Sequence, residues 1–267
     1  MLYYDVNVIR TVDLNADAGE AFGHWRVADE DALFSQLSSV NLACGFHAGD
    51  PLTMQRAVGR AKHSGVAVGA HPGFPDLVGF GRRDLAASPE EVYADVLYQL
   101  GALAVFLRAE GMTLHHVKAH GALYFKMMRE PETARAVAEA VATFNAAFDA
   151  ALPLVVLAGT GGLVMQTQAA ALGLRVVTEA FPDRAYLKDG RLAPRTLEGA
   201  LLSDPGSVAE RAVKMAAGAP LGALDGGSVV LGAADTLCLH GDHPQAAQNA
   251  QAVRRALAEA EIAVRAF

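Results

Sequence analysis

NLACGFHAGDP, residues 41–51, is a short apolar run that gives out at a histidine, turns through small residues and restarts at an aspartate followed by a proline. Asp and Pro in that order are a helix N-cap and a first helical residue. The stretch therefore reads as strand, loop, helix, with His47 and Asp50 at the joint. The same arrangement recurs as GAHPGFPD at 69–76, HVKAHGALY at 116–124, EAFPDRAY at 179–186 and LCLHGDHP at 237–244. One such joint carries little information; five at the ends of successive strands describe a repeating βα unit.

Working outward, short β-branched or aliphatic runs alternate with Ala-rich segments of helical period. Strands are expected near 11–16, 39–45, 66–71, 115–120, 153–158, 174–180 and 235–240, with a last one at 262–267. Helices are expected at 51–63, 88–109 (opened by SPEE), 131–147, 161–172, 205–217 and 244–260. This order calls for a parallel sheet, and about seven units favour closure over an open sheet. The expected fold is α/β: a single irregular (β/α) barrel of about seven parallel strands, forming one domain across 1–267.

Side chains two apart share a face of a strand. In TVDLNAD, Asp13 and Asn15 oppose Val12 and Leu14; in HHVKAH, His116, Lys118 and His120 oppose Val117 and Ala119. His47, His71, Glu179 and His240 likewise tip strands whose inner faces are small, and Asp242 joins them if the last run extends. In a parallel barrel such tips converge at the C-terminal mouth, where barrel enzymes build their sites. Four histidines at one structural position, with Asp13, Asn15 and Glu179, point to a joint role. His24, His63, His115 and His243 fall in loops, in a helix or on the opposite face, and are read as structural or surface residues.

Composition narrows the chemistry. With 52% hydrophobic and 19% charged residues the chain can bury a large core. A net charge of −7, with its 22 Lys and Arg scattered, excludes a nucleic-acid backbone as partner. No run of about eighteen apolar residues and no signal-peptide pattern is visible, so no membrane partner is expected and cytoplasm is the expected location. The two cysteines, Cys44 and Cys238, are too few for a disulfide framework and read as buried small hydrophobes.

Three loops could bind anions. LAGTGG at 157–162 follows a strand and opens a helix, but it lacks the Lys and Ser/Thr of a phosphate loop, and a tight turn explains it equally well. GFGRRD at 79–84 sets Arg82 and Arg83 beside glycines, where they could clamp a carboxylate or phosphate; the competing reading pairs Arg83 with Asp84. PDRAY offers Asp183 and Arg184 with the same two readings.

The motifs DLNADAGE, NLACGFHAGDP, GAHPGFPDLVGFGRRD, YQLGAL, HVKAHGALY, PDRAYLKDGRLAPR and CLHGDHP, in order from 13 to 244, resemble the LamB/YcsF family over nearly the whole chain. Departures from its usual motifs are Ala16, Ala18, Ala119, Phe125 and Pro182, none of them at a polar tip. The resemblance implies a barrel similar to polysaccharide deacetylases and ATP-dependent opening of 5-oxoproline to glutamate, with ATP as co-substrate, Mg2+ on its phosphates, and subunits B and C as partners. Phosphorylating the amide oxygen would activate the resonance-stabilised lactam. Lys118, Arg82 and Arg83 are then clamp candidates, and Asp13, Glu20, His47, His71, His120 and Glu179 acid–base candidates. Two alternatives stay open. One is a metal-dependent amide or carbohydrate deacetylase using Asp13, His71 and His120 as ligands; the other is a non-catalytic lactam-binding subunit.

Overall fold

In the computed structural model, residues 10–25, 30–240 and 245–267 are described. The chain runs β1 (Thr11–Ala18), α1 (Glu30–Phe34), β2 (Ser39–Ala43), α2 (Pro51–Ser64), β3 (Ala67–His71), α3 (Pro89–Ala109), β4 (His116–Val117), α4 (Gly121–Met127) and α5 (Pro131–Phe148). It continues through β5 (Leu154–Leu157), a 3-10 turn (Gly159–Gly162), α6 (Leu163–Ala171), β6 (Val176–Ala180), α7 (Pro205–Ala217), β7 (Leu221–Gly222), β8 (Ser228–Val229), β9 (Thr236–Leu239), α8 (Ala246–Glu259) and β10 (Ala263–Val264).

Strands β1 to β6 pair in sequence order, and β9 closes the ring by pairing with both β6 and β1, all parallel. The closed barrel of seven parallel strands is the expected fold. β10 pairs with β1 only at Thr11 and Val12, outside the run of β1 that β9 occupies. It is thus an appendage at the base of the barrel.

The helix signals act as the sequence proposes. Asp50 caps α2 by accepting from Leu52 N (3.1 Å) and Thr53 N (3.3 Å), and Gly65 ends it with φ 66°. Ser88 and Glu91 form a capping box on α3. That helix is, among the described residues, the one long and apolar enough to cross a membrane by length and composition; its Val92, Val96, Leu100, Leu103 and Leu107 are buried in the core between wall and helices.

Three differences from expectation matter for the site. β4 spans only two residues, because Lys118 and His120 leave the ladder: Lys118 N donates to Ala70 O (2.9 Å) and His120 N to Pro72 O (2.8 Å), beside the rising end of β3. The next residue opens α4, a seven-residue helix whose GALYFKM is too short to show a period. The β7–β8 hairpin is likewise too short to read.

Inside the barrel the wall is polar. Thr236 Oγ1 donates to Asp13 Oδ2 (2.5 Å) and accepts from Asn15 Nδ2 (2.6 Å). Asn41 Nδ2 donates to Asn15 Oδ1 (2.8 Å) and Asp17 Oδ1 (2.9 Å), and its own oxygen meets His116 Nε2 at 2.7 Å. A Cβ at Gly69 would sit 2.1 Å from His116 Nε2, so that glycine makes room for the imidazole. Buried polar groups are tolerated because they satisfy one another.

Candidate active site

β1, β2, β3 and β4 each deliver polar residues to the mouth. Asp17 ends the inner face of β1; Glu20 and His47 follow β1 and β2 in loops; His71 ends β3; Lys118 and His120 follow β4. Asp17 Oδ1 receives Lys118 Nζ at 2.8 Å and its Oδ2 lies 3.3 Å from His71 Nε2. Lys118 also reaches Glu179 Oε1 (3.0 Å) and Cys238 Sγ (2.9 Å). His120 Nδ1 faces His71 Nε2 (3.0 Å) and Glu20 Oε1 (3.4 Å), and Glu20 Oε1 is 3.3 Å from His47 Nε2. The His47 and His120 rings stack at 3.7 Å.

Burial and charge divide these groups. Burial opposes ionising Asp17, but His71 and Lys118 beside it overcome this and hold the carboxyl well below its usual range. Burial likewise opposes the ammonium of Lys118, and Asp17, with Cys238 and Glu179, holds it well above its usual range. For Glu179 burial prevails over the single ammonium it shares with Asp17, and its pKa is raised. Burial first, and like neighbours second, hold His47 and His120 well below the usual imidazole value, so both are neutral near pH 7. Two buried oxygens, Tyr124 Oη and Glu179 Oε2, lack a hydrogen-bond partner at bonding geometry.

A pocket of about 210 Å3 opens on this cluster. Asp17, His71, Lys118 and His120 line one side, and Arg82, Arg184 and Arg195 the other. Arg184 is buried, gives Nη2 to Ala193 O (2.7 Å) and leaves its Nε without a partner; burial, aided by Arg195, lowers its pKa to about 10. Asp183 Oδ2 binds His240 Nδ1 (2.7 Å) at the rim, and Phe181 stacks on that imidazole.

The structure thus brings together Glu20, His47, His71, Lys118, His120 and Glu179, with Asn15 directly beneath them, contacting Glu179 Oε1 at 3.4 Å. Arg82, Arg184 and His240 line the pocket, and Asp183 holds His240. Three expected placements fail. Asp13 lies at the opposite, N-terminal end of the barrel, bonded to Ser38 (2.6 Å), Ser39 (2.8 Å) and Thr236, because it sits near the start of β1. It therefore cannot join His71 and His120 around a metal. Arg83, 62% exposed, is committed to the buried Asp76 rather than to the pocket or to Asp84, which pairs with Lys126 and Arg129. The LAGTGG turn is packing: a Cβ at Gly162 would lie 2.1 Å from Leu157 O. Asp242 and His243 lie outside the described residues.

Two residues escaped the sequence reading. Asp17 continues the inner-face alternation of Asp13 and Asn15 and is missed only by ending the strand at 16. Arg195 closes the motif PDRAYLKDGRLAPR, and no local spacing marks it as facing Arg184.

Fold and site define a closed (β/α) barrel with a carboxylate–imidazole–lysine cluster facing a wall of arginines across a small pocket. The LamB/YcsF family model matches residues 12–267, and the chain belongs to that family. It is 59% identical to the 5-oxoprolinase A-subunit of Thermus thermophilus over 96% of this chain and 99% of that protein. With the 5-oxoprolinase A-subunit of Deinococcus radiodurans it shares 55% over 93% and 94%. The crystal structure of a lactam utilization protein from Thermus thermophilus superposes with a TM-score of 0.89 at 57% identity, covering 96% of this chain and 100% of that one.

Proposed function

We propose that this chain is the lactam-opening subunit of an ATP-dependent 5-oxoprolinase, converting 5-oxo-L-proline to L-glutamate together with subunits B and C in the cytoplasm. The observation that carries the reading is the two-sided pocket. Arg184, with an unused buried N–H, suits the substrate carboxylate, and Lys118, fixed between Asp17 and Glu179, suits the lactam oxygen. The relatives' names supply the substrate.

ATP phosphorylates the lactam oxygen to an imidate phosphate, with Mg2+ on the nucleotide. Water, deprotonated at the Glu20–His47–His71–His120 cluster, adds to the activated carbon. The tetrahedral adduct then has two exits: expelling phosphate restores the lactam, whereas breaking the C–N bond gives an acyl phosphate and an amine. Returning the proton to the ring nitrogen selects the second exit, and a further water releases phosphate and glutamate. Lys118 stabilises charge on the lactam oxygen throughout. A pocket of this size takes the lactam but not the nucleotide with it, so the phosphoryl donor enters from the partner side.

The test is glutamate formation from 5-oxoproline and ATP by this chain alone, by subunits B and C alone, and by the mixture. Turnover confined to the mixture is expected. Full turnover by the isolated chain refutes the partner requirement, and turnover by B and C without it refutes the assignment. Wild-type kcat with only KM raised in Lys118→Met would reduce the chain to a binding subunit.

A further inference from the structure

The histidine cluster presents an electrostatic problem that its own protons do not solve. His71 Nδ1 lies 2.7 Å from Lys118 O and His120 Nε2 lies 2.8 Å from Phe80 O. Carbonyl oxygens only accept, so both of these nitrogens carry hydrogen. In the neutral rings the opposite nitrogens, His71 Nε2 and His120 Nδ1, are therefore bare lone pairs, and they face each other at 3.0 Å. Further acceptors converge on them: Asp17 Oδ2 lies 3.3 Å from His71 Nε2, and Glu20 Oε1 lies 3.4 Å from His120 Nδ1 and 3.3 Å from His47 Nε2.

One extra proton does not settle this. On His71 Nε2 it serves His120 or Asp17 and leaves the contact between Glu20 and His120 uncompensated. Lys118 cannot reach in, since its ammonium is engaged by Asp17, Glu179 and Cys238. A cation at the centre satisfies every lone pair at once.

The spacing has the right scale. Ligands about 2.0–2.1 Å from a tetrahedral ion stand about 3.3 Å from each other. The close contacts here are 3.0 Å (His71–His120), 3.3 Å (Glu20–His47) and 3.4 Å (Glu20–His120), and the four donor atoms all lie within 4.8 Å of one another. Imidazoles anchored through their other nitrogen to a backbone carbonyl are also the form that metal-ligating histidines take. All four side chains are buried, and each follows a different one of the first four strands, which is why no local His-x-x-x-His spacing announces them.

We propose that Glu20, His47, His71 and His120 form a binding site for one divalent first-row transition ion, held through Glu20 Oε1, His47 Nε2, His71 Nε2 and His120 Nδ1. Three imidazoles and one carboxylate select Zn2+ and its neighbours over Mg2+ and Ca2+, which demand oxygen. His71 and His120 also line the pocket, so the ion's open side faces the substrate, where it lowers the pKa of an attacking water. That catalytic role rests on the lactam-opening reading; binding of the ion does not.

The experiment therefore uses no substrate. The purified full-length chain is stripped with a chelator, then titrated with Zn2+ by calorimetry and, in parallel, with Co2+ while recording visible ligand-field absorption. One ion per chain is expected, with a rise in melting temperature. His120→Asn and Glu20→Gln each weaken Zn2+ binding by at least about a hundredfold, while the exposed His63→Asn leaves it unchanged. If either variant fails to fold, the stoichiometry and melting shift of the wild-type chain decide. Absence of stoichiometric binding by folded wild-type protein, or undiminished affinity in folded His120→Asn and Glu20→Gln, overturns the proposal. Either result leaves the assay of glutamate formation as an independent measure of the function.

Discussion

Asp13 and Asp17 occupy the same inner face of β1, one near its start and one near its end, and their surroundings drive them in opposite directions. At the floor, Asp13 meets only neutral hydroxyls, and burial, partly offset by those bonds, raises its pKa. At the mouth, Asp17 meets Lys118 and His71, and burial is overcome. Hydroxyl donors make a buried carboxyl tolerable, whereas an ammonium makes it a lasting anion. The contrast separates a residue that supports the barrel from one that serves the pocket, although alternation in the sequence treats both alike.

The hardest test of this contrast is Lys118→Met. Removing the buried ammonium strands Asp17 and Glu179 together, at a cost of about 3–5 kcal/mol in stability. Glutamate formation by the reconstituted subunits should also fall at least about a hundredfold. An unchanged urea midpoint would show that the mouth is not held by that charge. Asp17→Asn should lower turnover by about a hundredfold or more, and Asp13→Asn by less than about threefold. Equal losses in both would erase the distinction between floor and mouth.

Asp13→Asn should instead act on stability, by about 1–3 kcal/mol, since an amide N–H2 replaces an acceptor of three hydroxyls. Its pH dependence sharpens the comparison. Because the native pKa of Asp13 is raised, its contribution is complete below its unfolded value of 3.8 and is lost as pH rises through the native one. Urea unfolding of wild type and variant should therefore diverge most in acid and converge toward neutrality; divergence growing with pH would contradict the assignment. The smallest effect is expected at Cys44, whose thiol burial pushes up to about 12. Its Sγ already donates to Leu42 O (3.1 Å), so Cys44→Ser keeps a partner and should cost about 1 kcal/mol with turnover intact. Inactivation at an unchanged melting temperature would restore the thiol as a nucleophile.

The barrel was readable from sequence because every strand carries a two-residue period and the long helices α2 and α3 announce their caps. His47, His71, Lys118, His120 and Glu179 were readable for the same reason, as polar tips on otherwise small or apolar faces. Depth along the barrel axis was not. Alternation tells which face Asp13 uses, but only strand register places it level with Thr236 rather than with His71. The partner of Arg83 was also invisible, because Asp76 approaches through a loop whose φ of 55° at Phe80 and 63° at Gly81 folds it back on itself. Arg195 reaches the pocket through a tertiary contact that no local pattern encodes.

The bend at Gly81 has a mechanical consequence. A Cβ there would lie 2.7 Å from both His120 Cδ2 and His47 Cβ, so the loop backbone rests directly on the stacked rings. The same segment is stitched to α4, with Gly81 O accepting from Ala122 N (2.9 Å) and Phe80 O facing His120 Nε2, while the Arg83–Asp76 pair fixes its far end. Arg82 is the tip of this short arm. An anion that draws Arg82 toward it therefore tilts the imidazole of His120, and the two walls of the pocket respond as one lever. Titrating the protein with a small carboxylate should accordingly shift the ring resonances of His120, on the opposite wall from the arginines that hold the anion.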